Sequence, residues 1–145
     1  MQEFPHHYTA TALAQTEGEI TLESGRLAAI ASAAPSEFGG PGNRWSPETL
    51  LVAAHADCFV LSFRAVAQAS KLAWVSLRCE VEGTLDRVER ITQFTAFVVR
   101  ASLTVPAGTD VDRARGLLEK AEKICLIANS LKASATLEAK VEIAG

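Results

Sequence analysis

Residues 46–71 read SPETLLVAAHADCFVLSFRAVAQASK, and the reading of this stretch decides the fold. Ser46 suits an N-cap because its hydroxyl can accept from a first-turn N–H. Pro47 loses nothing by lacking a donor at the next position, and Glu48 puts a negative charge where the helix dipole favours it. From Leu50 onward apolar residues fall on every side of the helical wheel, Leu50, Leu51, Val52, Phe59, Leu61 and Phe63 among them. A helix apolar all round is normally enclosed by other structure. His55, Asp57 and Arg64 interrupt the run, whereas an uncharged membrane span needs roughly 18 or more residues, so the stretch reads as a core helix and not a membrane span. Cys58 then sits mid-helix, with His55 one turn before it and Ser62 one turn after it on the same face.

Upstream of the helix, residues 35–45 (PSEFGGPGNRW) carry two prolines and three glycines, which exclude regular structure. Before that loop, residues 8–14 alternate as a short strand, Gln15 to Gly18 turn, Ile20 and Leu22 alternate with Thr21 and Glu23, Ser24-Gly25 turn again, and residues 27–31 suit a third strand. Downstream, Val75, Leu77, Cys79 and Val81 alternate with polar residues, a parity that points Cys79 to the core. Residues 86–90 read as a hairpin loop. The following strand carries Phe97, Val99, Ala101 and Leu103 on one face with Phe94 and Ala96 out of phase, which predicts a bulge near residue 96. Asp110 can cap a second helix whose apolar stripe, Val111, Ala114, Leu118, Ala121, ends at Cys125. Residues 134–143 alternate throughout and close the chain as a strand. Strands, helix, strands, helix, strand argue an α+β domain with mainly antiparallel sheet around a central helix. One such sheet covers an all-round apolar helix poorly, so the pattern also predicts a homodimer.

At 145 residues the chain is expected to form one domain over residues 1–145 with a sizeable core. A formal net charge of −3, with both signs mixed along the sequence, gives no reason to expect nucleic acid. The first ten residues, MQEFPHHYTA, lack a basic start and an apolar run, so a cytoplasmic protein is expected. Three widely spaced cysteines, Cys58, Cys79 and Cys125, do not suit a secreted disulfide scaffold, and reduced thiols are the expectation.

These thiols admit two readings. They can be small core hydrophobes, the commonest fate of buried cysteine. Alternatively, two of them can do redox chemistry: a thiolate attacks a peroxide oxygen, becomes a sulfenic acid, and condenses with a second thiol. His55 is open to both a packing role and that of a base; His6-His7 lie where a chain end usually frays. A zinc site from His55, Cys58 and Cys125 would lack any close-spaced ligand pair, and no metal or cofactor is expected.

The run PSEFGGPGNRWSPETLLVAAHADCF, followed later by EKAEKICLIANSLKAS, resembles the OsmC/Ohr family of peroxide-detoxifying proteins over nearly the whole chain. The resemblance rests on the Pro-x-x-Phe-Gly-Gly loop, the Ser-Pro-Glu helix start with Cys58 ten residues after Glu48, and Cys125 followed by Asn129-Ser130-Leu131-Lys132. It implies an OsmC-like fold with antiparallel sheets around the central helix, an intertwined homodimer without cofactor or metal, and reduction of organic hydroperoxides. It implies Cys58 as the peroxidatic thiol and Cys125 as the resolving one, joined in an intramolecular disulfide. It also implies Glu48 as part of the site and a dithiol, lipoyl-type in the Ohr branch, as reductant; Cys79 has no counterpart. This chain departs from the Ohr branch in its first hairpin turn, Gln15 to Gly18, which lacks that branch's activating arginine. Arg26 and Arg44 are the available substitutes, and Arg44 is preferred because it adjoins Glu48. Ten helical residues at about 1.5 Å each separate Glu48 from its own Cys58 by about 15 Å, so any service of Glu48 to a thiol is expected across the dimer. The rival reading is a non-enzymatic dimer of the same fold holding a small apolar ligand.

Overall fold

The cap at Ser46 forms with a partner that the sequence pattern did not single out. In the computed structural model, which describes residues 1–145, Ser46 Oγ accepts from the Thr49 N–H at 3.1 Å while Thr49 Oγ1 accepts from the Ser46 N–H at 2.8 Å. Thr49 thus takes the reciprocal place that Glu or Gln holds in a capping box. The helix it starts, α1, runs Pro47–Ala69. Its residues His55, Phe59, Phe63, Val66 and Ala67 form one buried stripe, while Leu61 stays 52% exposed. A single chain therefore encloses one side of this helix rather than all of it.

The chain divides into two compact units, Met1–Leu51 and Val52–Gly145, with α1 beginning in the first and continuing in the second. The first unit holds a three-stranded antiparallel sheet of β1 (Thr11–Leu13), β2 (Ile20–Glu23) and β3 (Ile30–Ser32), in that order. β3 starts three residues later than the sequence pattern suggests. The reason is local: Gly25 adopts φ +53° and the Leu27 N–H donates to Ser24 O at 3.0 Å, so the chain is still turning at Leu27. The loop after β3 folds back through a single 3₁₀ turn, Ser36–Phe38, and then runs so close to itself that a Cβ on Gly40 would lie 1.6 Å from Ala34 O. Only glycine permits that approach. Trp45 then bridges Ser32, with the Ala33 N–H donating to Trp45 O at 2.8 Å, and delivers the chain to the Ser46 cap.

The second unit packs the rest of α1 with a sheet of β4 (Ser76–Val88), β5 (Ile91–Val105) and β6 (Ala135–Ile143) in that order. β4 and β5 pair down to Val88 and Ile91, so the expected five-residue loop narrows to a two-residue turn, Glu89-Arg90, both at positive φ. Thr84 pairs with Ala96 and Leu85 with Phe94, leaving Thr95 as the extra residue of a bulge beside the expected position. There the Phe94 ring lies over Gly83, where a Cβ would come within 2.8 Å of it. Asp110 caps α2 (Val111–Ile124) by accepting from the Arg113 N–H at 3.1 Å, and the Arg113 guanidinium donates to Ser70 O just beyond α1. A short helix, α3 (Leu126–Asn129), precedes β6.

β6 runs parallel to β5, a departure from the expected antiparallel order. A parallel neighbour needs a long crossover, and α2 supplies it. Inward-facing side chains line up in rows across the three strands: Leu77, Leu103 and Val141; then Cys79, Ala101 and Ala139; then Val81, Val99 and Leu137. These rows, with Phe59 and Phe63 of α1 and Leu118 and Ala121 of α2, form the core.

Candidate active site

Cys58 enters this core from the middle of α1, half-buried, and Cys125 enters from the break between α2 and α3, wholly buried; both are reduced. Their positions have different local causes. Cys58 is fixed by helical pitch beside the buried stripe of His55, Phe59 and Phe63. Cys125 has left the helical conformation, with φ −61° and ψ 106°, so its side chain faces the start of α3 and receives the N–H groups of Ala128 and Ile127. Burial pushes the Cys125 thiol up to about 11; the Ala128 N–H pulls it down, and a hydrogen bond to Cys58 together with the charge on Cys58 pushes it up again. The two thiols are therefore neighbours in one core, Cys58 being packed against the cluster that holds Cys125.

Around the pair, His55 is buried to 1% exposure with its ring edge-on to Phe97 at 5.4 Å. Desolvation lowers its pKa, so it is neutral at pH 7, and its Nδ1 has no hydrogen-bond partner in this chain. Cys79 faces the same core from β4; burial pushes its thiol up to about 11, the Cys125 charge adds to this, and Arg78 opposes it. His6 lies at the exposed chain start, where its Nε2 meets Gln2 O at 3.0 Å.

Arg44 and Glu48 belong to the first unit. The expected pairing between them does not form: Arg44 Nε donates to Glu19 Oε2 at 2.6 Å and its Nη1 to Asn43 O at 3.2 Å. The loop's course explains this, since it lays Arg44 beside the residue that opens β2 before the chain turns into the helix. Glu48 is left with Oε1 buried and unpartnered, at the wall of an open apolar groove of about 640 Å³ formed with Ile20, Leu22, Pro35, Phe38 and Leu50. Arg26 is exposed in the turn between β2 and β3.

A model of OsmC-like proteins matches residues 40–140, a span that takes in the capped helix, Cys58 and Cys125, and the second sheet up to Lys140 of β6. The chain belongs to the OsmC-like protein family. Its relatives in that family include an organic hydroperoxide resistance protein of Xanthomonas axonopodis pv. citri, 32% identical over 127 residues, covering 85% of this chain and 84% of the relative. An uncharacterised protein of Bacillus subtilis, YmaD, is 30% identical over 130 residues, 86% of each chain. Among solved structures, an OsmC-like protein of unknown function from Vibrio cholerae superposes with a TM-score of 0.83 at 20% identity, over 93% of this chain and 99% of that one. The α+β fold with two sheets is thus that of OsmC-like proteins. Cys79 is the residue that sequence reasoning set aside; its inward strand parity was legible, but the row of alanines that opens the sheet beside it becomes visible only with the β4–β5–β6 register.

Proposed function

We propose that this protein is a thiol-dependent peroxidase of organic hydroperoxides, with Cys58 peroxidatic and Cys125 resolving. The observation that supports this reading is the placing of both thiols in one core, with Cys58 packed against the cluster that holds Cys125. The Cys58 thiolate attacks the terminal peroxide oxygen, the O–O bond breaks, and the alkoxide leaves and is protonated to the alcohol while Cys58 becomes a sulfenic acid. The Cys125 thiol then condenses with it, releasing water and forming the Cys58–Cys125 disulfide. A cellular dithiol, lipoyl-type or similar, restores both thiols by exchange and is itself oxidised. Phe59 and Phe63 beside the pair favour an alkyl group over the bare hydrogen of hydrogen peroxide.

The working form in this reading is a cytoplasmic homodimer of single 145-residue domains. Exposed apolar side chains such as Leu27 and Leu61, and the buried unpartnered Oε1 of Glu48, support a second copy as the missing cover. Glu48, and an arginine released from or other than its present partner, would then serve the partner subunit's Cys58. Arg44 needs to leave Glu19 to do so; Arg26 is free of that commitment.

A second reading, a dimeric binding protein for a small apolar ligand, is favoured by one observation: Arg44 is already held by Glu19. The two readings part in steady-state turnover. With dihydrolipoamide and cumene hydroperoxide the peroxidase reading predicts multiple turnovers, abolished in Cys58→Ser, and fast alkylation of Cys58 at mildly acidic pH. No turnover and slow alkylation would leave the binding protein.

A further inference from the structure

His55 is the one buried polar side chain of the second unit, and the cycle leaves it without a task. Its ring packs edge-on to Phe97 at 5.4 Å, and Phe97 in turn stacks on Phe94 at 5.2 Å. Nδ1 is buried and has no partner. A nitrogen left so is costly, and an orphan of this kind in a native core asks for a cause. Packing alone supplies none, since a phenylalanine ring would make the same edge contact without the orphan. A cause stands one turn along the helix. α1 is continuous from Pro47 to Ala69, so His55 and Cys58 share a face at a spacing of three residues, which sets Cβ atoms about 5–6 Å apart. Helical side chains lean toward the N-terminus, and this directs Cys58 Sγ back over the turn that carries His55. Nδ1 is the ring nitrogen nearer the backbone and so nearer that turn.

We propose that His55 is a positioning residue for the sulfenic acid of Cys58: its Nδ1 hydrogen-bonds the sulfenic oxygen, fixes the direction of the S–O bond and slows the uptake of a second oxygen. This rests on the peroxidase reading. While Cys58 is a thiol the gap stays open, for Nδ1 has no partner. The sulfenic acid carries an oxygen one bond beyond Sγ, and that oxygen both donates and accepts, so it pairs with Nδ1 whichever tautomer the neutral ring holds. His55 forms no covalent bond and exchanges no electrons. It holds the oxygen that leaves as water when Cys125 attacks Sγ, and until then it guards the intermediate against oxidation to the sulfinic acid.

The over-oxidation of Cys58 tests this. Cys125→Ser, in which the sulfenic acid cannot be resolved by Cys125, receives one equivalent and then an excess of cumene hydroperoxide, and the oxidation state of Cys58 is followed by mass spectrometry. The same is done with His55→Phe or His55→Asn added; phenylalanine keeps the ring and its edge contact, whereas asparagine offers an amide close to where Nδ1 stands. The proposal expects the sulfenic acid to form at one rate in all three proteins. It expects passage to the sulfinic acid about three- to tenfold faster with His55→Phe, the size of one net hydrogen bond, and restored to the parent rate with His55→Asn. Equal passage in the His55→Phe and parent proteins overturns it. If Cys58 of the parent stays a thiol, the peroxidase reading has failed and a second measurement decides the inference. Cys58→Asn sets a neutral polar atom where the sulfenic oxygen would stand, and the nitrogen-15 resonance of His55 Nδ1, assigned by its loss in His55→Phe, is compared with that of the native chain. A shift of that resonance in Cys58→Asn to a hydrogen-bonded position supports the pairing, and an unchanged resonance overturns it.

Discussion

The two units keep their apolar residues in opposite ways. In the first, β1 to β3 are three or four residues long, Leu13, Leu27 and Ile30 are exposed, and Ile20, Leu22 and Phe38 line an open groove. In the second, strands of 9 to 15 residues and two long helix faces close over Phe59, Phe63, Leu103 and Leu118 completely. The nucleophilic side chains follow this division, with all three cysteines and the buried His55 in the second unit. A thiol pair that must meet in a fixed geometry needs a core that does not yield, and close packing provides it. The first unit contributes charge and an unfilled apolar surface instead.

Large-to-small changes separate the units most sharply. Phe63→Ala, which empties a fully buried site of the second unit, should cost about 3–5 kcal/mol in urea unfolding. A loss below about 1 kcal/mol would mean that this core is loosely packed. Alkaline pH addresses the same core through its thiols. Burial raises Cys79 and Cys125 from an ordinary 9.0 to about 11, so the folded state keeps protons that the unfolded chain has already lost. Their contribution to stability is complete below pH 9 and drains away as pH rises to about 11. The urea midpoint should therefore fall across that window, and fall less in Cys79→Ala; an unchanged slope in that variant would show that Cys79 is not held in the core. Ser46→Ala removes the acceptor for the Thr49 N–H at the start of α1 and should cost about 1 kcal/mol. Smallest of all, Leu13→Ala on the open sheet of the first unit should change stability by within about 0.5 kcal/mol in dilute monomer. If the change grows with protein concentration, a second copy covers that face.

Much of the second unit could be read from the chain because its signals are local. The alternation of residues 134–143, the Asp110 cap and the phase break that marks the bulge at Thr95 each report on backbone within a few residues. The start of β3 and the partner of Arg44 were not legible, since each depends on where a loop brings residues distant in sequence. The direction of β6 failed for the same reason: period-two alternation fixes which face a strand buries but says nothing of its sense against its neighbour. In the site, helical spacing placed Cys58 and His55 on one buried face, whereas the approach of Cys125 to Cys58 came from resemblance and could not be derived from spacing.

The central claim, that Cys58 and Cys125 are a redox pair, is tested most directly by trapping its first intermediate. Cys125→Ser is treated with one equivalent of cumene hydroperoxide in the presence of dimedone and mapped by mass spectrometry. The account predicts a dimedone adduct at Cys58 within seconds, and a Cys58–Cys125 disulfide in its place when the native chain is treated alike. Peroxide left unconsumed, with Cys58 still a free thiol in both proteins, would contradict it.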